Sequence, residues 1–303
     1  MLKQKIYIFH KIPEIGLKML QAKFEFSKKL KGASAILSLL TDKIDAKTMD
    51  KAGKNLKIIS NYAVGFDNID IAAASQRQIM VTNTPGILTN TVAEHTIGLI
   101  CAIAQRIVEA DKFTRKDKFH GWQPMLFLGT DLKNKILGII GLGRIGQRVA
   151  EIAKRGFGMK ILYYDKIRNS KYRFNPIKRI LKKADFISLH VPLLPSTNHL
   201  IGKKELKSMK KTACLINTAR GPIVDEKALV KALKNKQIAG AALDVFEKEP
   251  KLARGLNKLN NVVLTPHIAS ASVETRRKMA VIAAQNIIDA LENKKPKFLV
   301  NEV

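Results

Sequence analysis

The run Ile139-Ile140-Gly141-Leu142-Gly143-Arg144-Ile145-Gly146 restricts the fold of this chain more than any other segment. The apolar stretch Ile136 to Ile140 predicts a buried strand, and it stops at three glycines spaced G-x-G-x-x-G. Ile145, Val149, Ala150, Ile152 and Ala153 then recur at helical spacing. Strand, glycine turn and helix in that order are the context of a dinucleotide site. Gly141 permits the tight turn, Gly143 leaves the backbone open to a pyrophosphate, and Gly146 lets the helix pack closely on the strand. The helix N-terminus adds free amides and a partial positive charge.

A lone glycine pattern is weak, and a structural turn beside a surface aspartate is the competing reading. The residues downstream favour the site. Met159 to Tyr164 reads as a second strand with Asp165 at its end, at about the 20-residue separation that suits a ribose-binding carboxylate. A carboxylate there accepts bonds from both ribose hydroxyls and repels a 2′-phosphate, which favours NAD over NADP. Lys166 and Arg168 blunt that preference.

At 303 residues the chain has room for two domains, and its 46% hydrophobic content supports a packed core. No stretch approaches the roughly 20 apolar residues of a membrane span. Met1 to Phe9 alternates like a first strand and lacks the features of a signal peptide. Cys101 and Cys214 are far apart in apolar surroundings. They read as reduced packing residues of a cytoplasmic protein. The net charge of +29 comes from 41 Lys and 13 Arg spread along the whole chain. Nucleic-acid recognition favours clustered arginine, so a solvated lysine-rich surface is the preferred reading and a nucleic-acid partner is not expected. Such a surface still draws in anionic metabolites.

Up to residue 97 short strands (Lys5–Phe9, Ala35–Leu39, Leu56–Ser60, Ile79–Thr82) alternate with helices (Ile15–Ala22, Ala46–Ala52, Ile69–Ala74). That alternation predicts a parallel sheet covered on both faces. Val92 to Asp111 reads as one long helix crossing between domains, and Lys112 to Leu132 as irregular chain holding the only tryptophan, Trp122. Beyond it lie six more strands: Ile136–Ile140, Lys160–Tyr164, Phe186–His190, Cys214–Asn217, Ala239–Leu243 and Val262–Leu264. Six is the strand number of a complete doubly wound dinucleotide fold. A last helical pattern, Val273 to Leu291, is long enough to return to the first region. The expected domains are therefore 1–97 plus 285–303 and 98–284.

Functional residues of doubly wound sheets lie at the carboxyl ends of strands. Three such ends carry an Arg, a Glu and a His: Thr218-Ala219-Arg220-Gly221-Pro222, Asp244-Val245-Phe246-Glu247-Lys248-Glu249-Pro250, and Thr265-Pro266-His267-Ile268. Reducing a 2-keto acid by hydride requires a proton for the carbonyl oxygen, and His is the usual donor near neutral pH. A carboxylate on the other ring nitrogen fixes the imidazole. An arginine grips the substrate carboxylate and polarises the carbonyl. Singly, each residue reads equally well as a surface ion pair, a solvated acid or a core histidine. Together they favour the catalytic reading.

The chain resembles the D-isomer-specific 2-hydroxyacid dehydrogenase family. The matching segments are Asn61 to Asn68, Asn83-Thr84-Pro85-Gly86, Gly141 to Gly146, Leu189-His190-Val191-Pro192, Asn217 to Asp225, Ala242 to Pro250 and Thr265 to Ser270, in family order. The resemblance implies two doubly wound parallel-sheet α/β domains, a Rossmann NAD-binding domain and a flavodoxin-like substrate domain. Closure of the two before hydride transfer is expected to exclude water. It implies Arg220 as the substrate-orienting residue and His267 as the acid/base. Its partner is Glu249 rather than Glu247, because the family's glutamate immediately precedes the proline. Backbone amides at Val64 and Gly65 would hold the substrate carboxylate. Implied cofactor contacts are Thr91, Gly141, Gly143, Arg144, Ile145, Gly146, Asp165, His190, Pro192, Thr197, Thr218, Ala219 and Asp244, the last near the nicotinamide carboxamide. His190 stays open between that role and a structural one. His10, His95, His120 and His199 read as structural or surface residues. NAD(H) is the expected cofactor, ahead of NADP(H). No spacing reads as a metal site.

Gly121 to Gly129 resembles the glyoxylate and hydroxypyruvate reductases of that family. The resemblance implies a homodimer through the NAD-binding domains, with Trp122 either capping the neighbour's substrate or serving only as an interface anchor. Between Phe24 and Ala35 the chain is shorter than the family pattern, where a strand–helix piece is expected, and Arg173 to Lys183 is compressed and basic. The activity implied is reduction of glyoxylate or hydroxypyruvate. A phosphoglycerate dehydrogenase is the alternative, weakened by the lack of a C-terminal regulatory stretch. A non-catalytic NAD-sensing scaffold is the alternative of another class.

Overall fold

The computed structural model describes residues 4–303, so residues 1–3 of the expected opening strand lie outside the described residues. The chain divides into two compact units, Met1–Leu88 with Ala271–Val303, and Thr89–Ser270.

The first unit runs β1 (Lys5–Ile8), α1 (Glu14–Gln21), β2 (Glu25–Ser27), β3 (Ala35–Ser38), α2 (Ala46–Ala52), β4 (Ile58–Asn61), α3 (Ile71–Gln76) and β5 (Met80–Thr82), and it is completed by α10 (Val273–Leu291). Its parallel sheet has the order β2-β1-β3-β4-β5, the flavodoxin-like winding. The central strands β3 and β4 are buried at every position, as helices on both faces require. Asp45 and Asp70 start their helices by accepting the backbone N–H of Thr48 and Ala73. That cap places the start of α3 at Ile71, two residues later than the apolar pattern at Ile69 suggests. Gly16 lets α1 lie against α10, because a Cβ there would come within 2.6 Å of the Ala280 carbonyl oxygen.

The second unit runs α4 (Thr89–Ala104), α5 (Ile107–Thr114), β6 (Ile136–Ile140), α6 (Arg144–Phe157), β7 (Lys160–Tyr164), β8 (Arg173–Phe174), α7 (Ile177–Lys183), β9 (Phe186–Leu189), α8 (Lys203–Ser208), β10 (Cys214–Asn217), α9 (Glu226–Lys234), β11 (Gly240–Leu243) and β12 (Val262–Leu264). Seven parallel strands are ordered β12-β11-β10-β9-β6-β7-β8. Strand alternation divides the core between the two faces. Leu137, Ile139, Ile216 and Val263 pack with Ile100 of α4 and Val149 of α6. Ile140, Leu215 and Leu243 pack with Ile180 of α7 and Leu229 of α9.

Several elements differ from the sequence reading. The strand thought absent between Phe24 and Ala35 exists as β2, pairing Lys5 with Glu25, and only the following helix is missing. Three residues at a sheet edge carry too little apolar pattern to be seen. β8, two residues in a basic stretch, escapes for the same reason and makes seven strands of the expected six. The single helix expected over Val92 to Asp111 is two, α4 and α5, bent by 63° where Arg106 adopts a left-handed φ of 54°. The units also change at 88/89 and 270/271. The expected limits would cut through α4 and α10. A helix follows along its whole length the sheet its apolar stripe covers, and periodicity alone does not say which sheet that is.

Among the described residues no single helix is long and apolar enough to cross a membrane, and no group of three or more His, Cys, Asp or Glu residues could hold a metal ion.

Candidate active site

Within the second unit the strand order turns back at β6 and β9, and ligands of such sheets bind at the carboxyl ends flanking that switch point. Both ends are closely packed here. Gly141 has φ +96°, and a Cβ on it would lie 2.6 Å from the carbonyl carbon and oxygen of His190. A Cβ on Gly146 would lie 2.1 Å from the Gly141 carbonyl oxygen. Gly143 differs, with nothing within 4 Å of the place its Cβ would take. Two glycines thus let backbone meet backbone, and the third faces open space at the N-terminus of α6. That space and those amides fit a pyrophosphate. Arg144 is exposed and Ile145 half-buried in the same first turn. Asp165, at the end of β7, is brought to this turn, where its Oδ2 accepts the Leu142 N–H at 2.5 Å.

His190 follows β9, with Nε2 2.8 Å from the Ser188 hydroxyl. Burial pushes its pKa down to about 4, so the ring is neutral near pH 7. Thr197 closes the turn after it, donating to the Pro192 carbonyl at 2.6 Å and accepting from Leu194 N–H at 2.8 Å. Thr218 follows β10 and its hydroxyl is 2.9 Å from that of Thr96 on α4. Thr91 lies in the first turn of α4.

β10, β11 and β12 are neighbours in the sheet, and their carboxyl ends carry Arg220, Glu249 and His267. The imidazole Nδ1 of His267 lies 2.9 Å from Glu249 Oε2. The other oxygen of Glu249 accepts the Phe246 N–H at 3.0 Å. Burial raises the pKa of Glu249, but the bonds from His267 and Phe246 and the charge of Arg220 prevail, and the carboxyl stays below its ordinary range. Arg220 therefore acts electrostatically on the same carboxylate. Its Nη1 donates to the Ala219 carbonyl at 2.8 Å, and Asn217 fixes its backbone by donating to the Arg220 carbonyl at 2.9 Å and accepting the Ala219 N–H at 3.0 Å. Glu247 faces elsewhere, 3.0 Å from His199.

The loop that carries His267 is held from beneath by Asp244. This fully buried carboxylate accepts from the Thr265 hydroxyl at 2.6 Å and from Ile268 and Ala269 N–H at 2.8 Å each. Its backbone carbonyl accepts the His267 N–H at 2.8 Å, which supports the left-handed φ of 54° at that histidine. Burial raises the pKa of Asp244, yet His95, Thr265 and the two amides hold it below the ordinary value. With no exposed surface, Asp244 acts on the histidine loop in this structure, and a contact with the nicotinamide carboxamide, as the resemblance implies, requires that loop to uncover it.

Two contributors carry no sequence signal. His95 lies 149 positions from Asp244 along the chain and is 3.5 Å from it in space. Glu226 is almost fully buried and brackets the Glu249 loop, accepting the N–H of Glu247 at 2.7 Å and of Ala253 at 3.0 Å. Burial, with the nearby Glu247 and Glu249 charges, raises its pKa. Val64 and Gly65 belong to the first unit, in the loop after β4. Trp122 is 83% exposed, so it has no packing role within the chain.

A seven-stranded dinucleotide fold with an imidazole–carboxylate pair and an arginine on adjacent strand ends defines a nicotinamide-dependent dehydrogenase. Residues 97–269 match the family model of the D-isomer specific 2-hydroxyacid dehydrogenase NAD binding domain. The chain belongs to that family of oxidoreductases, which act on CH–OH donors with a nicotinamide cofactor. It is 48% identical to a glyoxylate reductase of Thermococcus litoralis, over 99% of this chain and 98% of that one. A solved Thermus thermophilus structure superposes with a TM-score of 0.93 at 39% identity, over 98% of this chain and 100% of the other. The NADPH-dependent glyoxylate/hydroxypyruvate reductase of Sinorhizobium meliloti, solved with NADP and malonate, gives 0.90 at 32% identity, over 98% and 97%.

Proposed function

We propose that this protein reduces a small 2-keto acid, glyoxylate or hydroxypyruvate, to the D-2-hydroxy acid. The bond of 2.9 Å between His267 and Glu249 carries the reading, because a carbonyl reduced by hydride needs a proton donor held in one orientation. The nicotinamide, when bound, supplies the hydride to the carbonyl carbon. His267 gives its Nε2 proton to the carbonyl oxygen, since Nδ1 is committed to Glu249. Glu249, kept ionised by its donors, compensates the imidazolium before transfer. Arg220 polarises the carbonyl, and the amides of Val64 and Gly65 take the substrate carboxylate. The glycine turn, Thr91, Arg144, Ile145, His190, Pro192, Thr197, Thr218 and Ala219 line the cofactor's course. Asp165 sets a preference for NAD(H).

Two further assignments are proposals of the same kind. Ile107, Phe119, Trp122, Met125 and Leu128 are large apolar residues, each at least half exposed, on α5 and the segment after it. A second copy of the chain covering them makes a homodimer through the NAD-binding units, with Trp122 as an anchor. The free thiols of Cys101 and Cys214 suit the reducing cytoplasm.

The test is a panel of glyoxylate, hydroxypyruvate, pyruvate and 3-phosphohydroxypyruvate with NADH and with NADPH. Turnover of the first two above the others is expected. Tight NADH binding without turnover of any keto acid would refute the proposal.

A further inference from the structure

The loop 62–66 after β4 is fastened in an unusual way: its carbonyls are tied one after another. The Ala63 carbonyl accepts Thr84 N–H at 2.9 Å. The Val64 carbonyl accepts Asn83 Nδ2 at 2.8 Å, and the Gly65 carbonyl accepts Asn61 Nδ2 at 2.8 Å. The Phe66 carbonyl accepts Ile69 N–H at 3.0 Å. In a planar trans peptide the C=O of one residue and the N–H of the next point in opposite directions. Tying the carbonyls of 63, 64 and 65 inward therefore turns the N–H groups of Val64, Gly65 and Phe66 outward. Among the described residues none of these three amides has an acceptor within the chain. Three successive backbone donors with no partner in the chain are the material of an anion cradle.

The two asparagines are built into the unit. Asn61 is fully buried, its Oδ1 accepting the Ser38 hydroxyl at 3.0 Å and its Nδ2 reaching Asn68 Oδ1 at 3.2 Å. Asn68 in turn donates to the carbonyls of Leu39 and Asp42, at 3.0 and 2.9 Å. The backbone of Asn83 is held by Asn286 Nδ2, 3.3 Å from its carbonyl. Each asparagine thus delivers one side-chain N–H to one loop carbonyl from a fixed platform.

We propose that Asn83 and Asn61 are positioning residues for substrate affinity. By holding the carbonyls of Val64 and Gly65 they aim the amides of Gly65 and Phe66 at the carboxylate, and Phe66 N–H is a third donor beside those of Val64 and Gly65. The inference rests on the proposed reading that this loop takes a small carboxylate. It adds which side chains set the loop's grip.

The test is Asn83→Leu, which removes the tie without adding charge. The KM for the keto acid and the Ki of oxamate, an unreactive mimic, should both rise about tenfold, the loss expected when aimed donors relax from an anion. kcat and the NADH dissociation constant should stay within about twofold, a split that a general loss of structure does not produce. Should Asn83→Leu fail to fold, the smaller Asn83→Ala carries the same test, because it also removes the Nδ2 donor to the Val64 carbonyl and adds no charge. A folded variant with unchanged KM and oxamate Ki overturns the proposal. A wild-type chain that turns over no keto acid but binds oxamate refutes the proposed activity, and oxamate affinity then decides the role of the asparagines. A wild-type chain that binds no small carboxylate overturns both.

Discussion

Replacing Gly221 by Ala tests how the acid pair is held together. The added Cβ would stand 1.8 Å from the Phe246 carbonyl oxygen, 1.9 Å from its carbon and 2.5 Å from Glu247 N. These are backbone atoms, so no side chain can swing aside. Even a very tight contact of 3.0 Å requires the 246–247 backbone to retreat by about 1.2 Å. Phe246 N–H holds one oxygen of Glu249 at 3.0 Å, and the other oxygen meets His267 at 2.9 Å. A retreat of that size takes the second bond beyond hydrogen-bonding range. Misplacement by about 1 Å at a reacting group costs on the order of 10²-fold in rate, and overpacking costs about 1–3 kcal/mol of stability. The expected result is a kcat about 100-fold lower, with a melting temperature lower by several degrees. NADH affinity should be almost unchanged, because the glycine turn follows β6, two strands from β10. Steady-state NADH oxidation with saturating keto acid gives the rate, and fluorescence titration gives the affinity. A variant with the kcat and melting temperature of the wild type would show that the loop yields without disturbing Glu249, and the reasoning would fail.

His267→Gln should lower kcat by about 10²–10⁴-fold while NADH still binds; steady-state rates and a binding titration check it, and unchanged turnover refutes the acid role. Asp165→Ala should lower the ratio of kcat/KM with NADH to that with NADPH, and an unaltered ratio removes Asp165 from cofactor selection. Stability should fall in acid through His190. Its folded pKa of about 4 lies below the ordinary 6.5, so the unfolded chain gains the proton first as pH falls. Its contribution is fully present above pH 6.5 and is lost toward pH 4, by up to about 3 kcal/mol. Melting temperatures of wild type and His190→Gln from pH 7 to 4.5 should converge if this is right, and parallel curves would exclude it.

The central strands were legible because a strand buried on both faces is a continuous apolar run, as in Ile136–Ile140 and Phe186–Leu189. Edge strands β2 and β8 lack that mark, being short and polar. The bend at Arg106 was hidden because apolar residues continue through it, and a left-handed arginine paired with Glu109 at 2.8 Å gives no local warning. Arg220, Glu249 and His267 could be grouped from their strand ends. The choice of Glu249 over Glu247 as the partner of His267 came from the resemblance, whereas the bond between them is a statement about space. Glu226, His95, Asn61 and Asn83 have no distinguishing chemistry of their own. What singles them out is the partner each meets in space, Ala253 for Glu226, Asp244 for His95, Gly65 for Asn61 and Val64 for Asn83, which periodicity does not encode.

On the proposed reading, the chemistry and the choice of what undergoes it are written in separate stretches of polypeptide. Proton delivery hangs from three side-by-side rails of one rigid plate, spaced by the fixed pitch of β-sheet at about 4.8 Å. The loop 62–66 belongs to the other unit, its Val64 and Gly65 carbonyls tied by two amide side chains. If the loop takes the substrate carboxylate as proposed, drift in it can retune which acid is accepted while the strand ends keep their alignment, so a lineage can change its diet without rebuilding its engine.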